Sequence, residues 1–214
     1  MANYKIQKIE HLAENTFLVR ADRPSVPIKA GQCFNVGIPG DGVNREYSMY
    51  SGANDDYIEF LIRRVEGGCV SPLLEKLKPG DRLEIDGPYG EFCLKGPIDV
   101  HRHHLFLATG TGIAPFHSFF KTFPKLNFTI LHGVRYPEET YHATDYPEGR
   151  YIPCITRNSR GRACSRLTDY LKGFSVSPDS AVYLCGNRNM IVDAFEMLRN
   201  KGISGDNLFT EVFF

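Results

Sequence analysis

The spacing of apolar and polar residues divides the chain into two parts. Before about residue 97, short stretches alternate between apolar and polar positions or are continuously apolar, and turn residues such as Pro39-Gly40 and Pro79-Gly80 separate them. Strands of this length and spacing are typical of a small antiparallel barrel. The pattern predicts six strands and one helix: strands Tyr4–His11, Asn15–Asp22, Cys33–Ile38, Arg45–Ser51, Tyr57–Val65 and Arg82–Asp86, and helix Ser71–Leu77.

After Gly96-Pro97, predicted strands alternate with predicted helices, which is typical of a doubly wound parallel sheet. We therefore predict two domains, residues 1–97 and residues 98–214, with the boundary near Lys95–His103. The predicted elements of the second domain are strands His104–Ala108, Phe128–Gly133, Tyr151–Thr156, Ala181–Cys185 and Leu208–Val212, and helices Ala114–Thr122, Ser165–Lys172 and Asn189–Lys201, the last ending at Gly202.

Composition limits the classes of function. The 25 basic and 25 acidic side chains balance, so net charge gives no reason to expect nucleic acid or an anionic membrane as partner. No apolar run suits a signal peptide or a membrane span. The six cysteines form no C-x-x-C pair, which argues against a zinc ribbon or an iron–sulfur cluster. We expect a cytoplasmic monomer with free thiols and no metal.

The stretch His104–Pro115 contains a pattern suited to anion binding. A buried apolar run stops at Gly110-Thr-Gly112 and a helical pattern follows. Glycines allow the backbone to approach a pyrophosphate, and the N–H groups at a helix start stabilise its charge. On its own, this stretch predicts either a nucleotide site or an ordinary strand-to-helix turn.

A second such pattern lies in the predicted barrel. Gly68 precedes the predicted helix, with Ser71 as its expected N-cap and Pro72 at its first position. On a neighbouring strand, Arg45 suits a bidentate phosphate contact, and Tyr47 on the same face offers a ring for stacking. Taken singly, these residues equally suit a surface arginine, a core tyrosine and a capped helix.

Four motifs follow one another along the chain: Arg45-x-Tyr47-Ser48, Gly68-x-x-Ser71, Gly110-Thr-Gly112-x-x-Pro115 and Cys185-Gly186-x-x-x-Met190. Together they resemble the ordered motifs of the ferredoxin–NADP reductase family, and the resemblance continues to Glu211-Val-Phe-Phe214. It implies a six-stranded antiparallel Greek-key barrel that binds FAD, followed by a doubly wound parallel sheet that binds NADP(H). The compact bacterial ferredoxin/flavodoxin–NADP reductases are the members that it resembles most.

The resemblance also implies roles for residues of the barrel. Arg45 would contact the FAD pyrophosphate, Tyr47 would stack on one face of the isoalloxazine, and Ser48 would hydrogen-bond near its reactive N5. Further implied flavin contacts are Leu61, Ile62, Arg63, Gly68, Cys69, Val70, Ser71, Thr111, Phe213 and Phe214.

For the nucleotide, the resemblance implies that Gly110, Thr111, Gly112 and Pro115 hold the pyrophosphate. The implied residues beside the nicotinamide are Cys185 and Gly186. Met190 is a further implied NADP-binding residue, and Arg188 stands where the family often has a proline. The implied residues around the point of hydride transfer are Ser48, Cys185, Glu211 and Phe213. Phe213 would cover the flavin face opposite Tyr47 and move aside for the nicotinamide. Without the upstream motifs, the C-terminus would equally suit an edge strand packed by two phenylalanines.

The choice between NADP(H) and NAD(H) depends on charge at the ends of the parallel strands. The predicted strand Phe128–Gly133 is followed by Val134-Arg135, without the acid that binds a ribose 2′-hydroxyl in a Rossmann NAD site. Arg135, Arg157 with the preceding Thr156, and Arg166 match positions used by NADPH-specific bacterial members, and guanidinium groups suit a 2′-phosphate. These residues predict NADPH, and the alternative is a solvated basic loop.

The function implied by the resemblance is that of a flavin-dependent reductase. It would transfer hydride between NADP(H) and FAD, and single electrons between FAD and ferredoxin or flavodoxin. Two alternatives stay open. One is a reductase component for an oxygenase or for free flavin, and the other is a flavin-binding module without turnover.

Overall fold

A computed structural model describes residues 2–157 and 165–213. The chain forms two compact units. The first contains the chain up to Leu94 together with Ala114–Pro124, and the second contains Lys95–Ile113 and the chain from Lys125 onward.

The first unit is built on an antiparallel sheet with the strand order β4-β3-β6-β1-β2-β5. An antiparallel bridge between Met49 and Phe60 joins the two end strands, and the Tyr50 N–H donates to the Glu59 carbonyl at 2.8 Å. The sheet therefore closes into the predicted barrel. Its elements are β1 (Ala2–Ala13), β2 (Thr16–Asp22), β3 (Cys33–Gly37), β4 (Asn44–Ser48), β5 (Tyr57–Arg63), β6 (Arg82–Tyr89) and the short helix α1 (Ser71–Leu74).

Aromatic side chains fill the first unit. Phe34 and Phe60 meet edge to face at 5.9 Å inside the barrel, and both are fully buried. Helix α2 (Ala114–Thr122) also packs in this unit. The His117 ring stacks on Tyr50 at 3.8 Å, and its Nδ1 lies 2.8 Å from the Tyr50 carbonyl, to which it donates. Phe119 on the same helix is fully buried, and its ring centroid lies 6.4 Å from that of Phe92.

The second unit is built on a parallel sheet with the order β11-β10-β7-β8-β9. The residues Leu105 to Ala108 in its central strand are fully buried, because a parallel sheet is covered on both faces. Strand order reverses between β7 and β10, and ligands bind at the carboxyl ends of such a pair. The elements are β7 (His104–Thr109), β8 (Phe128–Val134), β9 (Tyr151–Ile155), α3 (Leu167–Gly173), β10 (Ala181–Gly186), α4 (Arg188–Asn200) and β11 (Leu208–Val212).

The helix ends differ in part from the predictions. Val70, and not Ser71, is the N-cap of α1, because the Ser71 hydroxyl instead accepts a hydrogen bond from the Val65 N–H at 2.9 Å. The end of α4 is as predicted: Gly202 has a φ of +88°, and the Ile203 N–H donates to the Leu198 carbonyl at 3.1 Å.

No helix within residues 2–157 and 165–213 has the length and apolar character needed to cross a membrane. The cysteines of the described chain, Cys33, Cys69, Cys93, Cys154 and Cys185, are free thiols, as expected. Cys164 lies outside the described residues.

Candidate functional site in each unit

Strand β4 presents the first group of predicted flavin contacts. Arg45 pairs with Val36 across the sheet and Tyr47 pairs with Phe34, so the two side chains share one face. Arg45 is exposed and Tyr47 is half-buried, whereas Ser48 is buried at the end of the strand. Burial raises the pKa of Tyr47 to about 12, despite the Arg45 charge, so its ring stays uncharged at neutral pH. A cation beside an uncharged aromatic face suits a phosphate-bearing aromatic ligand.

The next predicted contacts lie at the end of β5. Leu61 and Ile62 are buried in the barrel, whereas Arg63 is exposed. Only Arg63 therefore offers an exposed side chain to a ligand, and the other two positions offer backbone groups.

The segment from Val65 to Ser71 is held by its own hydrogen bonds. Gly67 has a φ of +69°, the Gly68 N–H donates to the Val65 carbonyl at 3.0 Å, and Ser71 accepts from the Val65 N–H. Val70 is buried and Cys69 is exposed. Ser71 thus fixes the loop before α1.

In the second unit, two motifs that lie far apart in sequence come into contact. A Cβ built on Gly112 would lie 2.5 Å from the Cys185 carbonyl oxygen and 2.8 Å from the Gly186 Cα. Gly186 has a φ of +123°, and a Cβ there would clash with the Thr109 side chain. The turn Gly110–Ile113 therefore packs so closely on the end of β10 that the contact leaves no room for added side chains. A glycine turn at the carboxyl ends of parallel strands suits a pyrophosphate, and we call the turn Gly110–Ile113 with the adjoining end of β10 the backbone cradle.

Thr109 and Asn187 hold this cradle, and neither was among the predicted site residues. The Asn187 N–H donates to Thr109 Oγ1 at 2.8 Å. Asn187 Oδ1 accepts from the N–H groups of Asn189 and Met190, which makes Asn187 the N-cap of α4. The asparagine before a helical pattern is the signal that identifies this cap. Met190 itself packs into the core of the sheet.

Cys185 and Glu211 meet across adjacent strands. They are register partners on β10 and β11, and Cys185 Sγ lies 3.7 Å from Glu211 Oε2. Complete burial, the Glu211 charge and this hydrogen bond all raise the pKa of the thiol well above its usual value. Cys185 therefore stays protonated and donates to the carboxylate.

Phe213 lies two residues after Glu211, just beyond the end of β11. Its N–H donates to the Gly186 carbonyl at 2.9 Å, and its side chain is half-buried. Phe214 lies outside the described residues. Thr111 is half-buried in the turn Gly110–Ile113, and Pro115 is buried as the second residue of α2.

The structure brings two of the three predicted arginines together. The Arg157 N–H donates to the Arg135 carbonyl at 2.7 Å, and both side chains are exposed. Thr156 donates through its N–H and its hydroxyl to the Val134 carbonyl. Arg166 is also exposed and is the N-cap of α3. The next residue, Leu167, packs on Gly133 of β8, where its Cβ would lie 3.4 Å from a Cβ built on that glycine. The intervening residues 158–164 lie outside the described chain.

Glu139 is an acid near these arginines that the sequence pattern did not identify. A turn at Pro137–Glu139 folds back, so that its Oε2 accepts from the N–H groups of Arg135 at 2.7 Å and Tyr136 at 3.1 Å. Strand β8 is therefore followed by a carboxylate after all. The Tyr136 hydroxyl also lies 3.5 Å from an Arg157 guanidinium nitrogen.

Two protein-family models match the chain. The oxidoreductase FAD-binding domain matches residues 3–93, and the oxidoreductase NAD-binding domain matches residues 106–195. The predictions of a flavin domain, a nucleotide domain and an oxidoreductase are confirmed by these matches.

The sequence similarity to named relatives extends over both domains. The chain is 28% identical to the toluate 1,2-dioxygenase electron transfer component of Pseudomonas putida, over 97% of this chain and 66% of that protein. It is 28% identical to the flavodoxin/ferredoxin–NADP reductase of Escherichia coli K12, over 88% of this chain and 86% of that protein. The chain thus spans slightly less than two thirds of the first relative, whereas it spans most of the second.

The fold is also that of solved structures. A ferredoxin NADP+ reductase from Neisseria gonorrhoeae, solved with bound FAD and NADP, superimposes with a TM-score of 0.82 at 23% identity, over 100% of this chain and 98% of that chain. The two domain matches run in the predicted order and together lead to one conclusion: the chain is an oxidoreductase with an FAD-binding domain followed by an NAD-binding domain, and ferredoxin–NADP reductases are among its relatives.

Proposed function

We propose that the chain is an FAD-dependent reductase that uses NADPH as hydride donor and ferredoxin or flavodoxin as electron acceptor. Bound FAD supplies the redox chemistry, because it takes up a hydride and releases electrons one at a time. The observation that carries the proposal is the contact between the turn Gly110–Ile113 and the end of β10, next to the Cys185–Glu211 pair. This contact supports the proposal because the glycine turn and the Cys185–Glu211 pair both lie at the carboxyl ends of parallel strands, where ligands bind in sheets of this kind.

In the first unit, the residues of β4 hold the flavin. The exposed Arg45 neutralises its pyrophosphate, Tyr47 covers one ring face, and Ser48 donates or accepts at the strand end. Arg63 and the loop Gly68, Cys69, Val70 and Ser71 supply further contacts, with the backbone of Leu61 and Ile62.

Gly110, Thr111 and Gly112, followed in the sequence by Pro115, hold the nucleotide pyrophosphate. Cys185 and Gly186 flank the nicotinamide, and Met190 belongs to the same nucleotide site. Cys185 keeps its proton on Sγ and directs it to Glu211, so the pair presents an uncharged thiol and one carboxylate. Glu211 would relay protons, Phe213 would cover the flavin face opposite Tyr47, and Phe214 would lie nearer the adenine side of FAD.

NADPH is proposed over NADH because Arg135 and Arg157 lie together and Arg166 begins the next helix. Guanidinium groups bind a 2′-phosphate well. Glu139 opposes this preference, because its carboxylate lies at the same strand end. We therefore expect a preference for NADPH that Glu139 weakens.

A second candidate function is that of a reductase component for an oxygenase. It is favoured by relatives such as the toluate 1,2-dioxygenase component, of whose length the chain spans 66%. A protein of this kind would pass electrons to an oxygenase instead of flavodoxin.

The remaining parts of the proposal concern organisation. We propose domains of residues 1–97 and 98–214, a monomer without bound metal, and a cytoplasmic location. The two family matches fall on either side of the proposed boundary. The scattered free thiols favour a reducing compartment.

Carrier reduction tests the function. The FAD-loaded protein is mixed with NADPH and either ferredoxin or flavodoxin, and reduction of the carrier is followed by absorbance. We expect reduction that requires both FAD and NADPH. Reduction of an oxygenase's iron–sulfur partner, without reduction of either carrier, would favour the second candidate. Absence of NADPH oxidation with every acceptor would contradict both.

A further inference from the structure

A buried imidazole lies directly behind the glycine turn of the nucleotide unit. His132 on β8 is fully buried. Its Nε2 lies 2.8 Å from the Gly110 carbonyl oxygen, and its Nδ1 lies 2.8 Å from the Tyr151 hydroxyl on β9. None of the four sequence motifs includes His132 or Tyr151.

The two partners determine which ring nitrogen holds the proton. A carbonyl oxygen can only accept, so Nε2 carries the hydrogen, and Nδ1 accepts from the Tyr151 hydroxyl. Burial lowers the pKa of His132 to about 4 and raises that of Tyr151, so both groups are uncharged at neutral pH. The hydrogen bonds therefore run in one direction, from Tyr151 to His132 to Gly110.

Packing holds this chain of hydrogen bonds in place. The Tyr151 ring stacks on Tyr146 at 5.1 Å with the ring planes 2° apart. The Tyr141 ring lies 6.0 Å from the imidazole, and both Tyr141 and Tyr146 are buried. The imidazole thus has a fixed orientation in a close-packed part of the sheet.

The Gly110 carbonyl belongs to the same planar peptide unit as the Thr111 N–H. In a trans peptide, these two groups point in opposite directions. Gly110 has a φ of +53°, and a Cβ there would meet no atom within 4 Å. Packing around the Gly110 α-carbon therefore does not determine the orientation of the Gly110–Thr111 peptide plane. Holding the carbonyl towards His132 therefore directs the Thr111 N–H away from the sheet. The first N–H groups of a helical turn have no acceptor within the turn.

We propose that His132, supported by Tyr151, is a positioning residue that orients the Gly110–Thr111 peptide to bind the nucleotide pyrophosphate. This inference rests on the proposed function, since it specifies how the same nucleotide site is built. The competing explanation is a purely structural histidine that only satisfies buried polar groups of the sheet.

Two substitutions separate these explanations. In His132→Gln, the side-chain amide still offers an N–H near the position of Nε2. His132→Leu removes both hydrogen bonds. The ligands are NADP+ and 2′-AMP, which carries the 2′-phosphate but no pyrophosphate. Dissociation constants are measured by calorimetry on the FAD-loaded protein, and retained FAD together with circular dichroism reports folding.

We expect His132→Leu to weaken NADP+ binding about tenfold and 2′-AMP binding less than twofold, because an oriented N–H to a charged group contributes on the order of 1.5 kcal/mol. His132→Gln should recover NADP+ binding to within about threefold of the original protein. A folded His132→Leu protein that binds NADP+ normally, or that loses both ligands equally, would overturn the proposal.

Tyr151→Phe covers the case in which His132→Leu does not fold. It removes the donor to Nδ1 alone, and we expect a loss of roughly threefold for NADP+ and none for 2′-AMP. A folded Tyr151→Phe protein that binds NADP+ and 2′-AMP as tightly as the original protein does would also overturn the inference. If the original protein binds neither ligand, the proposed function fails instead.

Discussion

The two glycine-containing turns of this protein look alike in sequence and differ in structure. Both Gly67-Gly68 and Gly110-Thr-Gly112 precede a predicted helix. At Gly67 a Cβ would meet no atom within 4 Å, so glycine is needed there only for its backbone φ of +69°, which other residues rarely adopt. At Gly112 a Cβ would meet the backbone of Cys185. Gly67 therefore provides backbone freedom in the first unit and Gly112 allows close packing in the second, and only the close packing joins two distant motifs.

Gly112→Ala should have the largest effect, because the added methyl group would lie 2.5 Å from a backbone oxygen that cannot move alone. We expect a loss of about 3 kcal/mol in the free energy of unfolding, measured by urea denaturation, and a large loss of NADP+ affinity. Gly67→Ala is the matched control, with about 1 kcal/mol lost and nucleotide binding retained. Equal losses in the two variants would remove the distinction between the turns.

Arg157→Ala combined with Arg166→Ala should have the next largest effect. Removing two guanidinium groups from the 2′-phosphate should raise the KM for NADPH roughly thirtyfold and that for NADH by less than about threefold. Steady-state kinetics with both nucleotides measure this. A similar rise for both nucleotides would contradict the assignment of these arginines to the 2′-phosphate.

The buried hydrogen bonds of the second unit should depend on pH. The folded pKa of His132, about 4, lies below the ordinary value of 6.5, so the unfolded chain takes up a proton first as pH falls. The stability that the neutral imidazole contributes is present above about pH 6.5 and is lost as pH falls towards 4. Between pH 7 and pH 5, the original protein should lose about 2 kcal/mol more than His132→Gln in urea denaturation. Equal losses of unfolding free energy in the two proteins would show that His132 has the same pKa in the folded and unfolded chain.

Ser71→Ala tests the turn of the first unit. It leaves the Val65 N–H without its side-chain acceptor, and we expect a loss of about 1 kcal/mol in unfolding free energy together with weaker FAD binding. Ser71→Thr keeps the hydroxyl and should recover both. Unchanged FAD affinity in Ser71→Ala would show that this loop does not position flavin contacts.

Glu139→Gln should have the smallest effect. The amide oxygen still accepts from Arg135 and Tyr136, while the negative charge near the proposed 2′-phosphate site is removed. We expect the preference for NADPH over NADH to rise about threefold, the size of an exposed charge interaction. An unchanged preference would place Glu139 outside the reach of the 2′-phosphate.

The sequence predicted the strands well where burial alone determines them. The continuous apolar run Leu105–Ala108 identified a central parallel strand, and the alternating stretches identified the barrel. The local motifs also named Gly112 and Gly186, and the structure explains why both are glycine: a Cβ on Gly112 would meet the backbone of Cys185, and a Cβ on Gly186 would meet Thr109.

Hydrogen bonds between distant residues could not be predicted in the same way. Ser71 suited an N-cap by its position, but its hydroxyl accepts from Val65 because the chain folds back there. Glu139 reaches the end of β8 only through a tight turn, and His132 reaches Gly110 from a neighbouring strand. Apolar periodicity contains no signal for these choices, since each depends on which backbone group lies within hydrogen-bonding distance after folding.

The most direct test of the central claim is an anaerobic absorbance titration of the FAD-loaded protein with NADPH and, separately, with NADH. The account predicts that NADPH bleaches the flavin spectrum rapidly and that NADH does so slowly. A flavin spectrum that neither nucleotide changes would contradict the reductase assignment and favour a flavin-binding module. Failure to take up FAD at all would contradict the assignment of the barrel.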